Sequence, residues 1–153
     1  METHFSVGRL ISIIHRSAHV YFQKEFGPLG LGHGQVRILK YLEENDGATQ
    51  NEITNVFMLD KGTISSAIKY LEKGAFIRRE RDEKDKRIFR LFLTEKAIAI
   101  RPQLREVFQN WTHKLLQNFK EEEKELVYDF LNRMVENTDF IGVGKANKYE
   151  EKK

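Results

Sequence analysis

The stretch that constrains the fold most is residues 60–97, where a helical pattern precedes two short strand patterns around a charged turn. Asp60 is a favourable N-cap for the helix, and Gly74 is a typical stop signal. Apolar residues recur between them at intervals of three and four, which is the period of one buried helix face: Ile64, Ala67, Ile68 and Leu71. We therefore predict a helix over residues 60–73.

The face opposite this apolar stripe is small, hydroxylated and basic. It carries Gly62, Ser66, Lys69 and Lys73, with Thr63, Ser65 and Tyr70 on its flanks. An ordinary surface helix would carry mixed Glu and Lys, whereas short hydroxyl side chains let a helix backbone lie deep in a DNA major groove. The pattern therefore favours a DNA-recognition helix.

Residues 75–81 and 87–93 read as two strands separated by the charged residues 82–86. In the second strand Phe89, Leu91 and Leu93 alternate, so one face of the hairpin can pack on the helices. Seven basic and four acidic residues lie between Arg78 and Arg90, a local excess of three positive charges. Alone, such a hairpin could equally be a solvated mixture of charges. Beside a hydroxylated helix face, its basic tip favours DNA.

The order helix, Gly, strand, charged loop, strand is that of a winged helix-turn-helix, and the hairpin resembles the wing of the MarR family of transcriptional regulators. The family signature is D-x-R, five residues, then L-T-x-x-G. Here it stands as Asp85-Lys86-Arg87 followed, after five residues, by Leu93-Thr94-Glu95-Lys96-Ala97. Ala97 replaces the last Gly, a mild departure because Ala suits the first turn of a helix. The resemblance extends over residues 10–135.

Two helix patterns precede the recognition helix. Residues 32–44 bury Val36, Leu39 and Leu42, and a third helix starts at Thr49 with Glu52 three residues on, which is a capping box. The predicted fold is mainly α with a small two-stranded β-wing. We place the winged helix-turn-helix at residues 31–93, helical dimerisation segments at residues 3–26 and 94–138, and a disordered tail at residues 139–153.

The flanking helices are more apolar than a small winged helix requires. The first carries a wide stripe that includes Leu10, Ile14 and Tyr21, and we interpret it as packing both within the chain and against a second copy; a lone hydrophobic helix is the alternative. A helix from Thr94 to about residue 119, kinked or irregularly started at Pro102, and a last helix that opens with Glu121 add further apolar faces. These surplus faces predict a homodimer.

Composition sets limits rather than naming a function. The chain has 153 residues, a net charge of +3 and a pI near 9.0, too mild to imply nucleic acid by itself. It contains no cysteine, which excludes disulfides, thiolate metal sites and thiol-based redox sensing through this chain. No apolar run reaches the roughly 20 residues of a membrane span, and no signal-peptide pattern is present, so we expect no membrane partner and a cytoplasmic protein.

The resemblance implies a homodimer that binds double-stranded DNA at a pseudo-palindromic operator, most often as a repressor. The residues predicted to contact the major groove are Lys61, Thr63, Ser65, Ser66 and Lys69. By resemblance Arg87 enters the minor groove while Asp85 holds its guanidinium. The other basic residues of the wing are interpreted as phosphate contacts or solvated charges: Arg78, Arg79, Arg81, Lys84 and Lys86.

The resemblance also implies a small anionic aromatic effector that binds between the dimerisation helices and the DNA-binding lobe. The candidate ligand residues are Arg9, His15, Arg16, His19, His33 and Arg37. The alternative is that Arg16 and Arg37 form ordinary ion pairs and that the histidines are surface residues.

Three other functions are less well supported by the sequence. His15 and His19 have the spacing of two metal ligands on one helix, but no carboxylate at a recognisable spacing accompanies them, so zinc is disfavoured and no cofactor is expected. An enzyme is the weakest class, because neither a phosphate loop nor a nucleophile motif is present. A winged helix used for protein or RNA contact is the more serious rival, although a protein-binding version would expose apolar residues on the recognition face.

Overall fold

The computed structural model describes residues 6–138, which form six α-helices, one short 3-10 helix and one two-stranded sheet. The predicted mainly α fold with a two-stranded wing is confirmed. The predicted tail, residues 139–153, lies outside the described residues. In chain order the elements are α1 (Val7–Phe26), the 3-10 helix (Gly27–Leu29), α2 (His33–Glu44), α3 (Gln50–Phe57), α4 (Lys61–Lys73), β1 (Ile77–Arg81), β2 (Phe89–Leu93), α5 (Glu95–Leu116) and α6 (Glu121–Glu136).

Side-chain caps fix where three helices, α3, α4 and α5, begin. The Thr49 hydroxyl accepts from the Glu52 backbone N–H at 3.2 Å while the Glu52 carboxylate accepts from the Thr49 N–H at 2.6 Å, so the predicted capping box of α3 is confirmed. Asp60 caps α4 by accepting from the Thr63 N–H at 2.8 Å. Thr94 caps α5 by accepting from the Ala97 N–H at 3.3 Å. Each cap satisfies an N–H that has no partner inside its helix.

One apolar core joins the lobe to the end of α1 and the start of α5. The recognition helix contributes Ile64, Ile68 and Leu71, all at most 1% exposed, which confirms its predicted buried stripe. Leu91 of the wing is 1% exposed and packs in the same cluster. Because α4 and the wing share this core, burial of apolar surface holds them at a fixed relative orientation.

The wing is an antiparallel hairpin in which Ile77 pairs with Leu93 and Arg81 with Phe89. A third segment closes its other side. The Gly47 N–H donates to the Leu91 carbonyl at 3.0 Å, and the Leu91 N–H donates to the Ala48 carbonyl at 2.9 Å. The turn before α3 is therefore hydrogen-bonded to β2, a pairing that the sequence pattern did not reveal.

Three details differ from the sequence-based expectations. Helix α5 begins at Glu95 and continues through Pro102, so it does not start irregularly at Pro102, and it ends at Leu116 rather than near residue 119. At the end of α4 the left-handed residue is Ala75, with φ 58°, whereas the stop signal Gly74 has φ −76°. Gly74 is required for space instead, because a Cβ there would lie 2.9 Å from the Phe76 ring.

Large apolar side chains of α1 and α6 remain uncovered within the described chain. Among the described residues, helix α1 fully buries Phe22 and Phe26, near its C-terminal end, and α6 fully buries none. The exposed residues include Val7, Leu10, Ile11, Ile14, Leu126, Phe130 and Leu131, each 45–55% accessible. Scattered apolar exposure is ordinary, but a continuous row along two helices marks a surface that another element covers.

Candidate nucleic-acid interface

The predicted contact residues of α4 lie on its solvent side, as the periodicity indicated. Lys61, Thr63, Ser66 and Lys69 are exposed, and Ser65 is half-buried. The Thr63 hydroxyl already donates to the Asp60 carboxylate at 2.5 Å, and this bond is the main cause that lowers the pKa of Asp60. Thr63 can therefore accept from a ligand but has no free proton to give.

Tyr70 is the aromatic residue on the same face. Its hydroxyl donates to the Gly30 carbonyl at 2.6 Å, at the left-handed turn (φ 70°) that follows the 3-10 helix. This bond ties the recognition helix to the junction between α1 and α2.

Asp85 and Arg87 lie at the tip of the wing, but they are joined through the backbone. The Asp85 carboxylate accepts from the Arg87 backbone N–H at 3.0 Å, and the Asp85 carbonyl accepts from the Ile88 N–H at 3.0 Å. Within residues 6–138 the Arg87 guanidinium has no ion pair or hydrogen bond. The Asp85 carboxylate therefore fixes the backbone of the turn at Arg87, and the Arg87 guanidinium stays free to bind another molecule.

A second carboxylate organises the rest of the turn. Asp82 accepts from the backbone N–H groups of Lys84 and Asp85 at 2.9 Å each and also from the Arg90 guanidinium. These bonds, that from Asp85 first, lower the pKa of Asp82 to about 2. Arg90 also donates to the Gly47 carbonyl at 3.0 Å. The wing tip is thereby connected to the turn before α3.

Sequence reasoning missed Asp82, Arg90 and Gly47 as parts of this site. The available signal was Asp82 itself, because an Asp that opens a short polar turn commonly accepts from the backbone two and three residues on.

The remaining wing cations differ in their partners. Arg79 forms a two-contact ion pair with Glu72 of α4, and Arg78 pairs with Glu80. The Arg81 guanidinium lies 5.4 Å from the centre of the Phe89 ring, which is 37% exposed. Lys84 and Lys86 are exposed. The charged side chains of the strands thus mostly interact with other residues of the protein, whereas the lysines at the tip of the wing face solvent.

Part of the predicted ligand set comes together near α4. An open depression of about 920 Å³ is lined by His19 and His33 together with Thr63, Ser66 and Tyr70. Burial lowers the pKa of His33, and the neighbouring charges of Arg37, His19 and His15 lower it further. The His33 ring stacks on Phe22, with ring centres 4.6 Å apart. The two histidines and the outer face of α4 therefore line the same concave surface.

Other members of that set lie elsewhere or have other partners. Arg37 is exposed and lies over the Phe57 ring at 4.9 Å. Arg9 is ten residues before His19 on α1, about 15 Å along the helix axis. Arg16 is exposed on α1. Nowhere in residues 6–138 do three His, Asp or Glu side chains lie close enough together to hold a metal ion.

Comparison with known proteins decides the family. A model of the MarR family matches residues 29–88. The uncharacterized helix-turn-helix transcriptional regulator YybA of Bacillus subtilis (strain 168) is 36% identical over 142 residues, covering 92% of this chain and 95% of YybA. The crystal structure of MarR has a TM-score of 0.81 at 32% identity and covers 92% of this chain and 96% of that one. The chain belongs to the MarR family.

A further MarR-family structure carries DNA. The putative MarR family transcriptional regulator from Listeria monocytogenes, solved in complex with a 26-mer DNA, has a TM-score of 0.78 at 31% identity, with 95% of this chain and 98% of that chain covered. Membership of the MarR family makes this protein a transcriptional regulator and not an enzyme. No helix within residues 6–138 is both long and apolar enough to span a membrane.

Proposed function

We propose that this MarR-family regulator is a homodimeric repressor that binds a pseudo-palindromic operator in the cytoplasm. The observation that carries the proposal is the placement of an exposed, hydroxylated α4 face beside a wing tip whose Arg87 guanidinium is unpaired within residues 6–138. A recognition helix in a major groove and a wing cation in the adjacent minor groove use both features at once.

The uncovered apolar rows of α1 and α6 support the dimer. Within residues 6–138 no residue of α6 is fully buried, whereas burial rather than helix propensity supplies most helical stability in proteins. A twofold partner that presents the same faces would cover both rows. Two recognition helices would then contact half-sites about one helical turn, roughly 34 Å, apart.

Each proposed DNA contact has its own chemistry. Ser65, Ser66 and Thr63 contact several base types, while Lys61 and Lys69 reach phosphates or base edges. Arg87 enters the minor groove, where a narrow A·T-rich segment concentrates negative potential. Asp85 assists by fixing the backbone of Arg87, since its carboxylate accepts from that N–H at 3.0 Å.

A small anionic aromatic effector would bind the depression beside α4 through His19 and His33, which line it, while His15 and Arg37 would add positive charge close enough to influence His33. Such a ligand changes DNA affinity only if its own affinity differs between two arrangements of the dimer: the one whose lobes are spaced to bind DNA and the one whose lobes are not. Arg9 and Arg16 of α1 are proposed only as ligand residues that a partner subunit would have to bring closer.

The test is capture of fragmented genomic DNA from the source organism by the full chain at near-physiological salt, followed by sequencing. Recovery of a few pseudo-palindromic intergenic sites is expected, and a variant that combines Arg87→Ala with Lys69→Ala should lose that enrichment. Uniform weak retention by both proteins would argue against operator binding and for a winged helix that contacts protein or RNA. Sedimentation equilibrium on the same sample tests the dimer: a monomer at micromolar concentration would refute it.

A further inference from the structure

The start of α4 places a carboxylate and a hydroxyl side by side at the exposed face of the recognition helix. Asp60 Oδ1 accepts from the Thr63 backbone N–H at 2.8 Å, and Asp60 Oδ2 lies 2.5 Å from the Thr63 hydroxyl oxygen. Both side chains are exposed, and both line the open depression beside α4. A molecule that lies against this end of α4 therefore meets the two side chains together.

Chemistry fixes the direction of the hydrogen bond between these two side chains. An ionised carboxylate has no proton and can only accept, so the single hydroxyl proton of Thr63 lies on the Asp60 side. Hydrogen bonds to Asp60, first that from the Thr63 hydroxyl, lower the pKa of its carboxyl group, which is therefore ionised near neutral pH. A threonine hydroxyl ordinarily donates and accepts, but this one has only its lone pairs left for another molecule.

The two side chains thus offer acceptors and no donor, which restricts the base edges that complement them. In the DNA major groove adenine N6 and cytosine N4 carry N–H donors, whereas guanine presents the N7 and O6 acceptors and thymine presents the O4 acceptor and a methyl group. An acceptor placed against guanine or thymine would leave both groups without a proton between them, and both would lose their hydrogen bonds to water. Only an exocyclic amino group complements the pair.

Gly62 leaves room for a base to approach this pair. It is exposed in the first turn of α4, where glycine destabilises a helix relative to alanine. A Cβ at this position would lie 3.1 Å from Asp60 Oδ1, which is closer than an ordinary van der Waals contact. The missing side chain therefore keeps the carboxylate uncrowded and lets the edge of a base come close to the helix backbone.

We infer that Asp60 and Thr63 together recognise an exocyclic amino group in the major groove, N6 of adenine or N4 of cytosine. The amino N–H donates to the Thr63 hydroxyl oxygen, while Asp60 holds the hydroxyl proton away from the base. Because the amino group belongs to one base of each pair, the contact also distinguishes a base pair from the same pair reversed. The inference rests on the proposed operator binding and adds the chemical group recognised at one position of each half-site.

The first step of the test locates the base pair. The full chain selects binding sites from a randomised duplex library at near-physiological salt, and sequencing gives the preferred pair at each position. Thr63→Val keeps the shape of the side chain and the Asp60 cap on its backbone N–H but has no hydroxyl. We expect it to select the same motif with the preference lost at one base pair of each half-site, whereas Thr63→Ser should retain that preference. Lys69→Ala, on the same helix face, is the matched control and should leave that pair unchanged.

The second step identifies the group that is contacted. Synthetic duplexes carry at that pair either a base without the amino group, purine for adenine or 2-pyrimidinone for cytosine, or a 7-deaza purine, which lacks the N7 acceptor. In fluorescence anisotropy, loss of the amino group should weaken binding of the unmodified chain about fivefold, the effect of one hydrogen bond, and loss of N7 should change it by less than about twofold. Thr63→Val should bind all these duplexes within about twofold of one another, which controls for the weakened base pair.

A further variant tests the role of Asp60. Glycine is also a favourable N-cap, so Asp60→Gly keeps the start of α4 but leaves the Thr63 proton free to face the base. The reversed base pair should therefore bind Asp60→Gly almost as well as the selected pair does. A reversed pair that stays as disfavoured as in the unmodified chain would overturn this role.

Three other results would overturn the inference: Thr63→Val keeps the preference at every position, loss of N7 weakens binding more than loss of the amino group, or loss of the amino group matters equally to Thr63→Val and the unmodified chain. Each leaves the proposed operator binding intact, because the unmodified chain still selects a motif. Selection of no motif by the unmodified chain would instead refute the proposed function and the inference with it. Thermal unfolding of every variant distinguishes a lost base preference from a lost fold.

Discussion

Arg79 and Glu72 form a two-contact ion pair that ties the first wing strand to the last turn of the recognition helix. The Arg79 Nε lies 3.0 Å from Glu72 Oε1, and its Nη2 lies 2.9 Å from Oε2. Both side chains are about one-third exposed, at 32% and 29%. Such an exposed pair adds little to overall stability, so we interpret it as a brace between α4 and β1, the two elements proposed to contact DNA.

This geometry predicts a measurable coupling. In a double-mutant cycle of Glu72→Gln and Arg79→Gln, urea unfolding should give a coupling free energy of about 0.3–1 kcal/mol, the range for a well-aligned but solvent-screened pair. The pair of Arg78 and Glu80, whose side chains are both 52% exposed within one strand, is the matched control. A coupling for the control as large as that for Arg79 and Glu72 would contradict the bracing role.

Arg87→Ala should weaken operator binding by about 1–3 kcal/mol, because it removes the cation that the turn presents. Fluorescence anisotropy at moderate salt measures the effect on a captured site. Arg81→Ala is the control: its guanidinium lies over Phe89 and should contribute less. If Arg87→Ala binds as tightly as the unmodified chain, the wing does not enter the minor groove as proposed.

Asp82 should make stability depend on acid pH. Its pKa is lowered from the usual 3.8 to about 2, so the folded state releases this proton more readily than the unfolded state does. The resulting stabilisation is complete above pH 3.8 and is lost as the pH falls toward 2. Urea unfolding should show Asp82→Asn clearly less stable than the unmodified chain at pH 5, and the difference should shrink by pH 2.5. A difference that is constant over this range would disprove the assignment.

His33 should also make stability depend on pH, but because the unfolded state, in which its pKa is not lowered, binds the proton more tightly. Because burial, then Arg37, His19 and His15, lower its pKa below the usual 6.5, the unfolded state takes up the proton first. Stability should therefore fall as the pH drops from about 6.5 through the lowered pKa. Thermal unfolding at pH 7.5 and 5.5 should show a smaller loss in His33→Gln than in the unmodified chain. His113 is exposed, so His113→Gln serves as the control: it should lose as much thermal stability between pH 7.5 and 5.5 as the unmodified chain does.

Substitutions at Gly74 and Ala75, two adjacent residues in the turn after α4, should change the stability of the protein in opposite directions. Ala75 has φ 58°, a conformation that favours glycine, so Ala75→Gly should stabilise by about 0.5–1 kcal/mol. Gly74→Ala should destabilise, because the added Cβ would lie 2.9 Å from Phe76. Denaturant unfolding of the two variants gives the signs, and a stabilising Gly74→Ala would refute the account.

The sequence predicted what short-range physics determines. Periodicity located the buried stripe of α4, and caps at Thr49, Asp60 and Thr94 located three helix starts, because each depends on residues three or four apart. The contacts that orient the wing could not be predicted in this way. Arg90 reaches Gly47 across 43 residues, and that contact depends on how the hairpin folds back onto the lobe. The assignment of Asp85 to the Arg87 guanidinium stays a prediction, whereas the bond observed is to its backbone.

The pairing of residues 47–49 with β2 has a consequence for solubility. A two-stranded hairpin normally leaves both outer edges able to hydrogen-bond to another chain, and such edges promote aggregation. Here the edge of β2 is occupied by the turn before α3. The other edge, β1, presents four consecutive charged residues, Arg78, Arg79, Glu80 and Arg81. The wing can therefore project into solvent without pairing with a strand of another molecule. A bulky residue at Gly47 would break the hydrogen bonds to β2 and expose its edge, and we expect such a variant to be prone to aggregate.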